Sequence, residues 1–84
     1  MEGLNRLSRV KKKDGTIQIN GKFPENHNRN EVFSNFTNEW IIGIFICGCF
    51  ICDIFESELE AIEALKTAHT HRLWYLISPL EIEQ

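Results

Sequence analysis

The apolar residues of this chain are concentrated in one continuous run near its middle. No charged residue occurs from Trp40 to Cys52, and Asp53 interrupts the run. Buried strands read as continuous apolar segments, and the many Ile and Phe residues favour a strand over a helix. A membrane-spanning helix needs about 20 apolar residues, which is longer than this run. The pattern therefore predicts a buried strand and its exit loop, with a membrane-associated segment over 40–55 as the alternative.

Two shorter segments before this run alternate between apolar and polar residues. In Thr16–Asn20, Ile17 and Ile19 fall on one face, which is typical of a half-buried strand. A weaker alternation in Glu31–Phe36 predicts a second strand, and Thr37–Glu39 reads as a tight turn into the apolar run. The three predicted strands would form an antiparallel meander.

A helix is predicted where the hydrophobic period changes after the apolar run. Leu59, Ile62 and Leu65 are spaced by three residues, with acidic residues before them and basic residues after them, which suits the helix dipole. The next segment, Leu73–Ser78, is apolar and rich in β-formers. A right-handed connection can place it parallel to the first strand. The predicted fold is therefore α/β: a mixed sheet with a three-stranded antiparallel meander, a helix and a parallel fourth strand.

Basic residues crowd the N-terminus, at Arg6, Arg9 and Lys11–Lys13, although the chain as a whole has a net charge of −3. That net charge does not indicate a strongly electrostatic nucleic-acid binder. A basic arm can touch phosphate, but its simplest interpretation is a solvated terminus. A chain of 84 residues supports one domain. We therefore expect a basic, disordered arm over 1–15 and one folded domain over 16–84.

Three cysteines lie inside the apolar run, at Cys47, Cys49 and Cys52. An odd number does not suggest a disulfide framework, and no apolar leader precedes the domain, so we expect an intracellular, cytoplasmic or nuclear protein. With His69 and His71 the thiols could be drawn as a zinc site. The spacing is not one of the strong paired patterns, and buried cysteine more commonly serves as a small hydrophobic residue.

Three segments carry a resemblance to a known family. They read, in chain order, "IQINGKF", "VFSNFTNEWIIGIF" and "CDIFESELEAIEAL". They resemble the first strand, the second and third strands with their turn, and the start of the helix in the ribonuclease H-type domain of plant retroelement reverse transcriptases. The resemblance covers residues 16–84, and it makes the Asn-Gly pair in the first segment the end of a strand rather than a hairpin turn.

The resemblance implies a site in which gathered carboxylates hold two Mg²⁺ ions and the RNA strand of an RNA–DNA hybrid is hydrolysed. By position, the family's metal-bridging Asp falls on Asn20, and its helix Glu falls on Glu58. Its third carboxylate falls on Glu81, with Glu83 as a rival register. Glu58 and Glu81 are thus the implied metal ligands. The neutral amide of Asn20 cannot bridge two dications, so catalysis should be lost. Mg²⁺ is therefore expected as a cofactor only if some activity remains.

The resemblance therefore implies a truncated, degenerate and inactive copy of a ribonuclease H-like domain. Its expected partner is RNA–DNA hybrid or RNA, with no small-molecule substrate and no membrane. Without the resemblance, Glu58 is simply a surface residue that complements a helix dipole, and Asn20 a turn residue. Three alternatives stay open: a weak metal-dependent nuclease that recruits Glu56, a membrane-associated or protein-interaction module using 40–55, and a chain that cannot fold alone because a sheet edge is unpaired.

Overall fold

A computed structural model of the chain describes residues 4–23, 33–68 and 73–83. The described strands and helix are, in chain order, β1 (Leu4–Lys11), β2 (Ile17–Asn20), β3 (Trp40–Ile46), β4 (Cys49–Phe55), α1 (Glu58–Lys66) and β5 (Trp74–Ile82). The strands form a single mixed sheet, so the prediction of a small α/β domain with a mixed sheet is confirmed.

The five strands lie in the order β2-β1-β5-β3-β4. β5, the last strand of the chain, pairs parallel with β1 and antiparallel with β3. Each of those neighbours carries an antiparallel partner on its outer side, β2 beside β1 and β4 beside β3. The most apolar stretch of β5, Tyr75 to Ile77, is buried at the centre of the sheet.

The N-terminal segment is a strand, so the prediction of a disordered arm over 1–15 is wrong. Leu4–Lys11 forms β1 and lies between β2 and β5. Leu7 and Arg9, two residues apart, are both buried on one face of the strand. The apolar residues Leu4, Leu7 and Val10 recur every three positions instead of every two, so the hydrophobic pattern does not mark this segment as a strand.

The apolar run forms two strands, not one strand with an exit loop. β3 and β4 pair along their whole length, and Ile46 lies opposite Cys49. The two residues between them, Cys47 and Gly48, have φ angles of 53° and 80°. These left-handed values are those of a type I′ two-residue hairpin turn. Because the residues on both sides of the turn are apolar, the hydrophobic pattern shows no break there.

The predicted three-stranded meander is also wrong. Phe33 and Ser34 are helical rather than extended, and residues 31–32 lie outside the described residues. The predicted first strand, now β2, does not pair with the strand after the helix. β5 pairs parallel with β1 instead, so β5 separates the β1–β2 pair from the β3–β4 pair. β5 therefore lies beside β3, where the predicted meander places residues 31–36.

β5 continues past Pro79, whereas the predicted strand ends at Ser78. Leu7 pairs with Ile77, but Arg9 pairs with Leu80, so the ladder between β1 and β5 shifts by one residue at this point. A bulge is where a strand tolerates proline, because a ladder hydrogen bond is already missing there. The strand then resumes to Ile82.

Apolar residues are buried on both faces of the sheet. On the face that we call the helix face, Ile42 and Leu76 pack under Ala61 and Leu65 of α1. The opposite, aromatic face carries a cluster of buried residues: Leu7, Phe33, Ile41, Phe50, Tyr75 and Ile77. The predicted helix is confirmed, and the side chain of Ser57 caps it by accepting a hydrogen bond from the backbone N–H of Glu60 at 3.2 Å.

Candidate functional site on the helix face

One side of β1 organises the candidate site. Arg6, Ser8 and Val10 alternate with the buried residues of the strand, so they share the opposite face. Arg6 Nη1 reaches Glu58 Oε1 of α1 at 2.8 Å, which identifies that face as the helix face. α1 packs against β3 and β4, and the strand pair β1–β2 extends beyond it. A row of mostly polar side chains, which we call the polar row, is therefore left open beside the helix.

The other two predicted site residues lie along the same row. Asn20 is opposite Ser8 on β2, and Glu81 is opposite Val10 on β5. Paired residues of neighbouring strands share a face, so both side chains lie on the helix face with Glu58. All three positions assigned by the family resemblance are thus on one side of the sheet. This is the one feature of the predicted site that the fold reproduces.

The two implied metal ligands are nevertheless not gathered at one point. Glu58 contacts β1 at Arg6, whereas Glu81 lies beside Val10, four residues further along the strand. At about 3.3 Å per residue, the backbone positions of Arg6 and Val10 are about 13 Å apart along β1, whereas the two ions of a two-metal site are roughly 4 Å apart. Among residues 4–23, 33–68 and 73–83, no three His, Cys, Asp or Glu side chains are grouped to hold a metal ion.

The side chain of Asn20 is engaged by its neighbours. Its Nδ2 donates to Ser8 Oγ at 3.3 Å, and its Oδ1 accepts from Gln18 Nε2 at 3.0 Å. All three residues are neutral, and Asn20 is exposed at the end of the edge strand β2. This part of the face offers hydrogen-bond donors and acceptors without a net charge.

Glu58 is compensated by a cation of the protein itself. The Arg6 and Glu58 side chains are 61% and 45% exposed, so their ion pair is a surface contact that contributes about 0–1 kcal/mol to stability. The guanidinium occupies the side of the carboxylate that faces β1. A metal ion binding there would have to compete with it.

The rival position, Glu83, is tied to the turn between β1 and β2. Its carboxylate accepts a hydrogen bond from the backbone N–H of Lys13 at 3.1 Å and lies 3.6 Å from Lys12 Nζ. Its own N–H donates to the carbonyl of Lys11 at 2.9 Å. Glu83 therefore binds to the β1–β2 turn. Of the two rival positions, Glu81 is the one that lies on the polar row.

The cysteines are divided between two places. Cys47 and Cys49 are exposed at the tip of the β3–β4 hairpin. Cys52 is half-buried opposite Gly43. Burial raises the pKa of the Cys52 thiol, and the charge of Asp53 acts in the same direction. His69 and His71, the other members of the suggested zinc site, lie outside the described residues.

Arg9 is a structural residue that the sequence pattern did not single out. It is fully buried, and desolvation lowers its pKa, opposed by the charge of Glu39. Its guanidinium donates to four backbone carbonyl oxygens, those of Phe33 at 2.9 Å, Phe36 at 2.7 Å, Glu39 at 3.2 Å and Ser78 at 2.9 Å. Arg9 thereby connects residues 33–39, which precede β3, to the central strand β5. No hydrophobic alternation marks Arg9 as buried, because the apolar residues of β1 recur every three positions.

A second surface lies at the opposite edge of the sheet. β4 pairs with β3 on one side, and within the described residues no strand pairs with its other side. Ile51 on this strand is 53% exposed, and Leu59 at the start of the helix is 71% exposed. The edge thus combines open backbone hydrogen-bonding groups with exposed apolar side chains, which is the combination that favours strand addition.

No family model, no curated protein and no solved structure matches this chain. Among the described residues, no helix is both long enough and apolar enough to cross a membrane.

Proposed function

We propose that this chain is a ribonuclease H-type domain that binds RNA–DNA hybrid or RNA and does not hydrolyse it. The observation that supports the proposal is that Asn20, Glu58 and Glu81 lie along one face of the sheet, beside β1. These are the positions to which the sequence resemblance assigns the metal site. In this chain they carry an amide, an ion-paired carboxylate and a separate exposed carboxylate.

Binding would rely on hydrogen bonds and a few phosphate contacts. Gln18 and Asn20 are exposed on the polar row, with Arg6 next to them. Lys13 is exposed in the adjoining β1–β2 turn, and Lys11, the last residue of β1, is also exposed. Proteins recognise A-form duplexes largely through their shape, their phosphates and their 2′-hydroxyls, without reading base edges. Three cations should give a log–log salt dependence with a slope of about −2 to −3.

Hydrolysis is not expected, because the charge that would hold two metal ions is missing. The bridging position is neutral, and the carboxylate of Glu58 already faces a guanidinium. Substituting Asn20 by Asp would restore one charge and leave the separation between Glu58 and Glu81 unchanged. This is why the binding role is proposed in preference to a weak nuclease.

The test is fluorescence anisotropy of a labelled RNA–DNA hybrid at several salt concentrations. We expect the double variant Lys11→Gln/Lys13→Gln to weaken binding and to reduce the salt slope by about two units. Lys66→Gln, on the far end of the helix and paired with Glu63, is the matched charge control and should leave the slope unchanged. Absence of salt-dependent binding by the wild-type chain would rule out the binding role.

A parallel assay separates binding from catalysis. The same hybrid is incubated with Mg²⁺ and wild-type protein or the Asn20→Asp variant, and the products are resolved on a denaturing gel. We expect no cleavage by either protein. Mg²⁺-dependent cleavage that increases in Asn20→Asp would show that the chain is a weakened nuclease and would contradict the inactive assignment.

A second candidate function, protein interaction through the β4 edge, is favoured by the exposed Ile51 and the open side of that strand. A partner contributing an extended strand would extend the sheet there. Ile51→Lys should weaken such association at least about tenfold, measured by sedimentation velocity over a concentration series. Gln18→Lys, on the opposite edge strand β2, is the control. Equal behaviour of the two variants would rule out a β4 interface.

A further inference from the structure

We propose that Cys47 and Cys49 form a two-thiolate binding site for Cu(I) at the tip of the β3–β4 hairpin. Both side chains are exposed, and a single residue, Gly48, separates them. The site is remote from the polar row on β1 and does not depend on the function proposed above. It uses the two cysteines that no packing role explains.

The turn holds the two cysteines in a defined relation. Ile46 and Cys49 are paired across the hairpin, so the two-residue turn between them has fixed ends. Cys47 has a φ of 53° and is the one non-glycine residue with a positive φ among residues 4–23, 33–68 and 73–83. Asn or Gly is the usual choice at such a position, so cysteine there needs an explanation other than backbone preference.

The spacing suits two-coordinate binding. Metal–thiolate bonds of about 2.3 Å place the sulfur atoms of a linear complex about 4.6 Å apart. Residues two apart along a chain are separated by at most about 7 Å between Cα atoms, and each thiol can rotate about its Cα–Cβ bond. The spacing therefore allows both sulfurs to come within reach of one ion.

The set of donors selects a soft ion with a low coordination number. Cys52 is half-buried opposite Gly43, on the aromatic face of β4, and does not belong to the tip. Within the part of the chain that the structure describes, no group of three or more metal-ligating side chains exists, whereas a structural zinc site takes four ligands. Thiolate ligands select Cu(I) among the soft ions. Two thiolates without a third ligand among the described residues therefore fit Cu(I) better than Zn²⁺.

Binding is a ligand exchange without electron transfer. Each thiol loses its proton to solvent, two Cu–S bonds form, copper stays in the +1 state, and the complex carries one negative charge. Two protons are released for each ion bound.

The experiment is an anaerobic titration in which the full chain competes for Cu(I) with a chromogenic chelator. Wild-type protein should bind one ion per chain, and Cys47→Ser or Cys49→Ser should weaken binding by more than about 100-fold. Cys52→Ser, a change of the same chemistry in the same hairpin, is the matched control and should stay within about threefold of wild type. Circular dichroism checks that each variant keeps its fold.

Alkylation mapped by mass spectrometry gives a second readout on the unmutated protein. Cu(I) should protect Cys47 and Cys49 from alkylation and leave the rate at Cys52 unchanged. The proposal is overturned if wild-type protein fails to compete with the chelator, if Cys52→Ser loses as much affinity as the other variants, or if one ion is shared between two chains.

Discussion

At the residue scale, Arg9 shows how one charged side chain can hold the backbone of a loop in place. Burying a guanidinium is costly unless its donors are used, and Arg9 uses Nε, Nη1 and Nη2 to bind backbone carbonyls from two separate segments. The planar fork of arginine suits several acceptors at once, whereas lysine would present its donors from one atom. The role of Arg9 is therefore structural, although the sequence places it within a cluster of basic residues.

We expect Arg9→Met to lower the free energy of unfolding by about 2–4 kcal/mol, because four carbonyl oxygens lose their partner and one of them, Phe33 O, is in a buried contact. Chemical denaturation monitored by circular dichroism measures the change. Arg6→Met, on the same strand but with an exposed side chain, is the control and should change stability by less than about 1 kcal/mol. Similar losses in the two variants would show that the Arg9 contacts contribute nothing beyond its charge.

A glycine in the sheet makes room for an aromatic ring. Gly43 lies opposite Cys52, and the ring of Phe50 covers it so closely that a Cβ added there would overlap the ring. We expect Gly43→Ala to lower the free energy of unfolding by about 1–3 kcal/mol through overpacking. In a Phe50→Leu background the same change should cost less, and a double-mutant cycle measures the coupling. Additive effects would show that the ring can move aside freely.

At the element scale, local patterns predicted α1 and β2 well because each is determined by its own residues. The cap Ser57 and the acidic first turn at Glu58 mark the start of α1. The β3–β4 hairpin was missed because a turn between two buried strands has no polar signal. Only the Cys47-Gly48 pair marks it, and cysteine is not a turn-forming residue.

The same turn gives a stability prediction. Cys47→Asn should raise the free energy of unfolding by about 0.5–1 kcal/mol, because Asn-Gly is the preferred pair for a type I′ turn and Asn adopts positive φ at little cost. Thermal unfolding monitored by circular dichroism measures the gain. Cys49→Asn, at the adjacent paired strand position, is the control and should not stabilise. A loss of stability in Cys47→Asn would contradict the type I′ conformation.

At the scale of the whole molecule, the sequence could not determine which strands are neighbours. The pattern in Leu73–Ser78 predicts an apolar strand, but no local feature of the sequence shows that it lies between β1 and β3. The right-handed connection after the helix predicts a different order, with this strand beside residues 16–20. For the same reason the sequence could not show how the predicted site residues lie relative to one another: Asn20, Glu58 and Glu81 share one face, but their separation along the sheet depends on strand register.

The central position of β5 makes folding depend on the C-terminal segment. Removing residues 74–84 would leave two hairpins, β1–β2 and β3–β4, that share no ladder with each other. An isolated hairpin is only marginally stable in water, and the buried contacts of Tyr75, Leu76 and Ile77 would be lost as well. We expect the full chain to give a dispersed two-dimensional amide NMR spectrum and the chain truncated after residue 73 to give a collapsed one.

A point variant separates the loss of β5 pairing from the loss of chain length. Ile77→Asp places a charge at a fully buried position of β5 and should collapse the spectrum as the truncation does, because an unpaired buried carboxylate costs several kcal/mol. Ile82→Asp, at an exposed position of the same strand, should leave it dispersed. If the truncated chain kept a dispersed spectrum, the β3–β4 hairpin and α1 would have to fold without β5. The sheet order found here would then not be what holds the domain together.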